Sequence, residues 1–444
     1  MLDGPLLDSL SRMDELFRTL PADAASTDAL AAGGLRYGLV GADHDERDAF
    51  SQAVSRGFYS SIAEAEELYE AREAYDDRRT TAVWDDSAAE PETPVATVDS
   101  WPTPLTMPGG GSLPAWAISG VTVAPTHRRR GIARALLEGE LRTARALRLP
   151  IAALTVSEAT IYGRFGFAPA ASAVDLVIDT RRAAWTEPQA KGRVHFVQRD
   201  ALRTIAPGIQ QRARVAGDVD RWPGYWDRLL GLRASLAKKA ADLRAVRYDD
   251  EHGEPQGFVV YRVKDAGADF SRHPVEVVDL VAATTDAYAG LWRYLLELDL
   301  VHEITVDLRS VDEPLRWMVA DPRAVRTRAH SDHLWTRILD VAVALEGRRW
   351  QTAGEIVLEV TDPLGFAAGR FSLAVDEAGR ATVMTTDAPA EVTLDAGALA
   401  AVHLGGTSPL TLAAAGRASG GQEALERLHA LAVTPVPPRL SFWF

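Results

Sequence analysis

The stretch Val121-Thr-Val-Ala-Pro-Thr-His-Arg-Arg-Arg-Gly-Ile-Ala-Arg134 constrains this chain more than any other. An apolar strand, read over Ala115–Val123, runs into a short loop holding three arginines and a glycine, and a helix begins directly after it. In that helix, read from about Arg130 to Leu147, Ile132, Ala135, Leu136, Ala146 and Leu147 share one face at helical spacing. A helix start leaves backbone N–H groups unpaired and carries a partial positive charge, so it suits a phosphate or pyrophosphate. Gly131 lets the backbone approach a ligand with no Cβ in the way. Ala133 permits close packing of the helix start, and the arginines add cationic partners. Three arginines alone would read as a solvated basic loop. The strand before, the glycine and the apolar helix after turn the balance towards an anion site. The pattern Arg128-x-x-Gly131-x-Ala133 is neither a Gly-x4-Gly-Lys-Ser/Thr loop nor a Gly-x-Gly-x-x-Gly turn.

With 444 residues the chain is long for one core and predicts two to four domains, at about 100–200 residues each. Residues 1–34 read as a loose extension with one short helix at Leu6–Leu20. Residues 35–180 read as an α/β unit: helices at Phe50–Gly57 and Ala63–Tyr75, strands at Thr80–Trp84 and Val95–Ser100, a long Pro/Gly connection over Pro102–Pro114, then the strand and helix above. A strand at Ile151–Val156 and a short helix ending at Phe165 follow. A charged stretch, Asp179–Gly192, reads as a linker. Residues 181–333 form a second α/β unit, with strands at Gly257–Val263, Val275–Ala282 and Glu303–Leu308 and a helix at Ala287–Leu298. Its strand–strand–helix–strand order repeats the first unit and suggests an internal duplication. Residues 334–444 form a third unit. Two-residue alternation marks strands at 356–360 and 371–375, helices follow at Ala396–His403 and Gly421–Leu431, and the chain finishes extended.

Composition narrows the chemistry. A formal net charge of −14 disfavours nucleic acid and suits cationic partners. No cysteine is present, which removes disulfides, thiolate metal sites and an acyl-Cys intermediate, so acyl transfer must be direct or use another nucleophile. No metal is expected. The first residues lack a basic, then apolar, secretory pattern, and no apolar run spans a bilayer. The expectation is a cytoplasmic protein without a membrane partner.

A second motif follows the next strand: Tyr162-Gly-Arg-Phe-Gly166-Phe167. Together with Arg128-x-x-Gly131-x-Ala133, it resembles the signature of the GCN5-related N-acetyltransferase (GNAT) superfamily, with one helix and one strand between the two pieces. The stretches Val123–Gly131 and Ser157–Gly166, with Leu291-Trp292-Arg293, Leu334-Trp335-Thr-Arg337-Ile338 and an aromatic chain end, resemble more closely the enhanced intracellular survival (Eis) family of bacterial aminoglycoside and polyamine acetyltransferases. The resemblance covers residues 36 to 444. It implies two tandem GNAT-like folds followed by a sterol-carrier-protein-like domain, of mixed α/β and α+β class, assembled as a homohexamer. Only the first fold would bind the co-substrate acetyl-coenzyme A (CoA), since Val281–Asp286 lacks the arginine and glycine of the loop.

The resemblance also implies roles. The backbones of Val121, Thr122 and Val123 would meet the pantetheine arm and acetyl group. Arg128, Arg129, Arg130, Gly131, Ile132, Ala133 and Arg134 would hold the pyrophosphate, and Ser157 and Glu158 would line the cofactor. Tyr162 would be the general acid for the departing thiolate, and the terminal carboxylate of Phe444 the general base. The chemistry is coherent: a protonated amine cannot attack, and a thiolate leaves more readily beside a proton donor. A positioned tyrosine, with its pKa of ~10 above the thiol's ~8.5, can hydrogen-bond or protonate the departing thiolate. Three aromatics in the last four residues should anchor the tail. His127 reads as a loop residue that nothing orients. Trp443 and Ser60 stand where the best-known members carry acidic residues, which disfavours strong binding of multi-cationic aminoglycosides. The resemblance implies primary amines of small cationic molecules, aminoglycosides and polyamines, as acceptors, with protein lysine as the runner-up. A non-catalytic binder of apolar ligands is the alternative of another class.

Overall fold

A computed structural model describes residues 16–444, so most of the helix expected at Leu6–Leu20 lies outside the described residues. Two compact units are present. Among the described residues the first holds 16–170, 334–434 and Trp443–Phe444; the second holds 171–333 and 435–442. The described part of the expected loose extension is packed. Phe17 and Leu30 are buried, and α1 (Ala24–Ala31) is N-capped by Asp23, which also pairs with Arg142 at 2.8 Å. Ser26 Oγ donates to the Ala135 carbonyl at 2.6 Å. The buried Arg79 guanidinium donates to the main-chain oxygens of Phe17, Leu20 and Pro21. Polar anchors, rather than an apolar stripe, hold this segment.

In the first unit β1 (Arg36–Leu39), β2 (Arg79–Trp84), β3 (Ala96–Thr106) and β4 (Ser112–Val123) pair antiparallel in sequence order. Helices α2 (His44–Gly57) and α3 (Ala65–Tyr75) are inserted after β1; Asp43 caps α2, which starts six residues before the expected Phe50. Helix α4 (Ile132–Ala146) returns the chain so that β5 (Ile151–Thr155) lies parallel to β4. The expected Pro102–Pro114 connection is instead the tip of a long β3–β4 hairpin, turned by Gly109 and Gly110 at positive φ. Pairing of β2 with β3 ends at Ser100, so Pro102 and Pro104 sit where β3 bonds to β4 alone, a position a proline tolerates. The one-turn helix α5 (Ala159–Tyr162) follows β5. Strand β6 (Ala168–Asp179), not read from the sequence, leads into the second unit.

The second unit adds β7 (Arg193–Phe196), α6 (Arg199–Ala213), α7 (Pro223–Leu229), β8 (Leu243–Asp249), β9 (Pro255–Val263), β10 (His273–Ala282), α8 (Thr285–Leu296) and β11 (Val301–Arg309). The antiparallel β9–β10 pair, helix α8 and parallel β11 repeat the β3–β4–α4–β5 order of the first unit. Leu176, Ile178, Val259, Val275, Leu291 and Trp292 are among its buried core. Strand β12 (Val325–Ile338) ends with Leu334–Ile338 paired antiparallel to β5. Those five residues add a strand beside β5 in the first unit; they do not open the third domain as expected.

The remaining chain forms α9 (Val341–Glu346), then a sheet of β13 (Gly354–Thr361), β14 (Gly369–Val375), β15 (Ala381–Thr385), β16 (Val392–Asp395) and β17 (Ala418–Gly420), in the order β15-β14-β13-β16-β17. Helices α10 (Ala396–His403), α11 (Pro409–Ala414) and α12 (Gln422–Ala432) accompany it. Ile356, Leu358 and Val360 point to the core as their alternation predicts.

Candidate active site

Strands β4 and β5 pair only from Ala115–Ala117 to Ile151–Ala153. Beyond that, β4 bonds to β3 alone, and Leu154 and Thr155 bond to β12. The two central strands therefore splay, leaving the β4 edge from Ile118 to Val123 without a strand partner on that side. A bulge opposite Thr97–Asp99 adds to the bend, and Gly120 takes φ +59° within 2.7 Å, at its Cβ position, of the Asp99 carboxylate. Thr122 is turned away and buried, its hydroxyl 2.7 Å from Thr97 Oγ1, while Val121 and Val123 are half-buried.

The loop after β4 begins with a 3-10 turn, Pro125–His127. Arg129 then takes φ +64° and Gly131, the N-cap of α4, φ +78°. No side chain caps α4, so its first N–H groups stay available. A Cβ on Gly131 would meet nothing within 4 Å, so the backbone conformation alone demands glycine here. Ile132 is buried, Ala133 half-buried, and Arg134 lies 3.9 Å from Glu138 one turn on.

The three arginines divide. Arg128 and Arg129 are exposed and make no hydrogen bond or ion pair among the described residues. Arg130 is committed to the protein: it donates to Asp85 Oδ2 at 3.1 Å and to the Gly33 carbonyl at 2.9 Å. His127, expected to be unoriented, is fixed by Asp85 at 3.1 Å through Nε2 and by Thr126 through Nδ1. Hydrogen bonds from Ser87, His127 and Arg130 hold the Asp85 carboxyl well below the usual carboxylate range. Sequence reasoning missed Asp85 because the loop residues it braces, His127 and Arg130, lie more than forty positions away.

Downstream of β5, Ser157 and Glu158 are exposed, and Thr160 donates to Glu158 at 3.0 Å. Tyr162 is buried with its ring edge-on to Phe167, and its hydroxyl has no hydrogen-bond partner among the described residues. Burial, with Glu158 adding to it, pushes the phenol up to about 12. Gly166 is required twice over: its φ is +82°, and a Cβ would lie 2.6 Å from Nε of the buried Arg337. Arg337 donates to the Phe165 carbonyl and pairs with Asp362, fixing the turn after Tyr162.

Phe444 is buried, and its main-chain oxygen accepts from Thr155 Oγ1 at 2.6 Å, at the end of β5. Trp101 meets the Phe444 ring edge-on at 5.8 Å. Arg78 lies 4.0 Å from the Trp101 ring centre and pairs with Asp99. Neither Thr155 nor Trp101 carried a sequence signal. Trp443 is half-exposed.

The second repeat differs at the helix start. Thr284 caps α8, its side chain accepting from Ala287 N at 3.1 Å, so one N–H of that terminus is already taken. No cluster able to hold a metal ion occurs among the described residues, and none of their helices is long and apolar enough to cross a membrane.

Family models described as "Acetyltransferase (GNAT) domain" match residues 41–170 and 217–343, and one described as "Sterol carrier protein domain" matches residues 341–441. An N-acetyltransferase Eis of Mycobacterium tuberculosis is 36% identical over 355 residues, covering 77% of this chain and 83% of the relative. The chain belongs to the Eis family. An uncharacterised N-acetyltransferase of Streptomyces avermitilis is likewise 36% identical, over 84% of this chain and 90% of its own length. The crystal structure of Eis1 from Mycobacterium abscessus superposes with a TM-score of 0.79 at 31% identity, over 90% of this chain and 98% of that one. Like its Eis relatives, the protein is a GNAT acetyltransferase with two GNAT domains and a sterol-carrier-like domain. Acetyltransferases of this fold use acetyl-CoA.

Proposed function

We propose that this Eis-family enzyme transfers the acetyl group of acetyl-CoA directly to a primary amine of a small cationic molecule, such as a polyamine or aminoglycoside. The pantetheine arm pairs with the open β4 edge at Val121 and Val123. The pyrophosphate sits on the uncapped start of α4, with Arg128 and Arg129 as its side-chain partners. Arg130 contributes through the loop it braces. The observation that carries this reading is the Phe444 main-chain oxygen, tied to Thr155 at the end of β5 where the strands splay.

The chemistry follows from these groups. In a chain that ends at Phe444 that oxygen belongs to a carboxylate, which takes the amine proton directly or through a water. The free amine attacks the thioester carbonyl to give a tetrahedral intermediate. Its collapse breaks the C–S bond and Tyr162 donates its proton to the thiolate; the second proton shed by the acetylated nitrogen returns to the Tyr162 phenolate through water, leaving a neutral amide and free CoA thiol. A phenol raised by burial stays protonated across the neutral range and so remains a donor.

We read the catalytic domain as residues 35–180, with the second domain over 181–333 and the third from 334, apart from the strand Leu334–Ile338. The enzyme works in the cytoplasm as a homohexamer, a state that sedimentation would test. Protein lysine is a second acceptor class, favoured by the exposed Ser60 and half-exposed Trp443 where acids would attract polycations. Free CoA measured with a thiol reagent over a panel of polyamines, aminoglycosides and a lysine peptide tests the proposal. Turnover with the small cations, above the rate without amine, is expected. Turnover with the peptide alone would move the acceptor class.

A further inference from the structure

The second GNAT-like domain repeats the strand splay of the first. Strands β10 and β11 pair in parallel from His273–Val277 to Val301–Val306, and beyond this β10 bonds only to β9 from Asp279 to Ala282. In the first domain the corresponding edge is open. Here side chains fill it. The buried Arg309, at the end of β11, donates to the Leu280 carbonyl at 3.1 Å, a main-chain group of the splayed edge. Glu313 holds the other side of the Arg309 guanidinium at 3.2 Å. Arg221, also buried, pairs with Asp279 on the same edge.

The second arm of Arg221 identifies what this cleft holds. Its Nη2 donates to Ser441 Oγ at 2.9 Å, and its guanidinium lies 5.2 Å from the Phe442 ring. That ring packs on Tyr225 at 4.8 Å. The Phe442 carbonyl is 2.9 Å from His333 Nε2, and Arg439 N donates to the Ala216 carbonyl at 2.8 Å. Gly217 takes φ +95°, and a Cβ there would lie 3.1 Å from the Arg439 main chain, so the receptor backbone is shaped around the tail. An aromatic pocket, a cationic fork and main-chain hydrogen bonds are how proteins bind an extended peptide.

We propose that the splayed cleft of the second GNAT-like domain has become the receptor for this chain's own residues 439–442, and that Arg221 is a positioning residue for the terminal residue of the chain. The second part rests on the reading of Phe444 as the base. Phe442 precedes Phe444 by two residues, so fixing it confines the terminus to a reach of about 7 Å. Released, the terminal group would wander from the geometry a proton transfer needs.

The test uses the full-length enzyme and two variants. Ser441→Ala/Phe442→Ala removes the tail side of the contact and leaves the Arg221–Asp279 pair intact. Arg221→Lys keeps a charge beside Asp279 and loses the fork to Ser441. Hydrogen exchange of residues 439–444, kcat with one amine, Kd for acetyl-CoA and melting temperature are read for each. The expected result is faster exchange across the tail and a kcat lower by about 10–100-fold, as for a group misplaced by an ångström or so. Acetyl-CoA affinity should hold. A purely structural role would lower melting temperature and acetyl-CoA affinity along with kcat. Unchanged tail exchange in both variants overturns the receptor; faster exchange with unchanged kcat overturns the positioning role. A C-terminally extended enzyme that kept full activity would count against the Phe444 base, and with it the positioning role, leaving the receptor to the exchange data.

Discussion

Replacing Gly131 separates the backbone's demand from that of side-chain bulk. Gly131 sits at φ +78°, and an added Cβ would meet no protein atom within 4 Å. Alanine therefore pays only for the left-handed conformation, about 1–2 kcal/mol. If the loop relaxes to avoid that cost, it must be restored on binding. Acetyl-CoA affinity should then fall by about 5–30-fold, given about 1.4 kcal/mol per factor of ten. Asparagine adopts this conformation more readily and should lose less, while β-branched valine should lose more. The expected order of Kd, by calorimetry with acetyl-CoA, is Gly131, Asn, Ala, Val. The control is Thr284→Ala in the second repeat. It should cost about 0.5–2 kcal/mol of stability through the lost cap and leave acetyl-CoA affinity alone. Equal affinity for Gly, Asn and Ala with loss only in Val would show that bulk decides. Weak binding in Thr284→Ala with normal binding in all three Gly131 variants would refute the site itself.

Other consequences can be measured separately. Tyr162→Phe should lower kcat by about 10²–10⁴-fold with acetyl-CoA affinity intact. Because burial and Glu158 hold its phenol near 12, kcat should show no loss from Tyr162 ionisation up to about pH 10; a fall near pH 9 that disappears in Tyr162→Phe would contradict the shift. Thr155→Val should lower kcat about tenfold or more by loosening the Phe444 oxygen, with Thr155→Ser restoring it; equal rates in both would leave Thr155 without a role. His403 is fully buried, and burial pulls its pKa down to about 4. The unfolded chain binds the proton near 6.5, so this contribution to stability is complete above 6.5 and is lost as pH falls towards 4. It amounts to roughly 3 kcal/mol. Urea midpoints between pH 7 and 4.5 should fall less in a folded His403→Gln variant; identical slopes would rule out His403 as the cause.

The stretch Val121–Arg134 was legible because its pattern changes character within a few residues. An apolar strand gives way through a basic loop and Gly131 to helical spacing, and Ile132, Ala135 and Leu136 are buried as that spacing predicts. Helix Ala396–His403 was read with both ends correct. Residues 16–34 were not legible, since α1 buries only Ser26 and Leu30 and carries no apolar stripe. Helix α6 was hidden by Pro207 in its interior, and β6 by an alanine-rich opening. Pro102 and Pro104 masked the end of β3, because whether a strand has one partner or two is a tertiary fact. The residues that hold the site together were the least visible. Thr155 meets a group 289 positions away, and Asp85, after β2, draws His127 and Arg130 from the loop after β4. Their residue types are ordinary, and only the fold gives them a role.

The central claim is that acetyl transfer depends on a free carboxylate at Phe444, and one comparison tests it most directly. Intact mass first establishes that the purified chain ends at Phe444. The same chain with a short Gly-Ser extension then keeps every side chain but turns that carboxylate into an amide, which cannot take a proton near neutral pH. Kcat is measured for both with one amine and saturating acetyl-CoA, and acetyl-CoA affinity is measured alongside. The account predicts a kcat lower by about 10²-fold or more in the extended protein, as for loss of a general base, with acetyl-CoA binding unchanged. Full activity in the extended protein would contradict it and turn attention to Glu158 or a chain of waters.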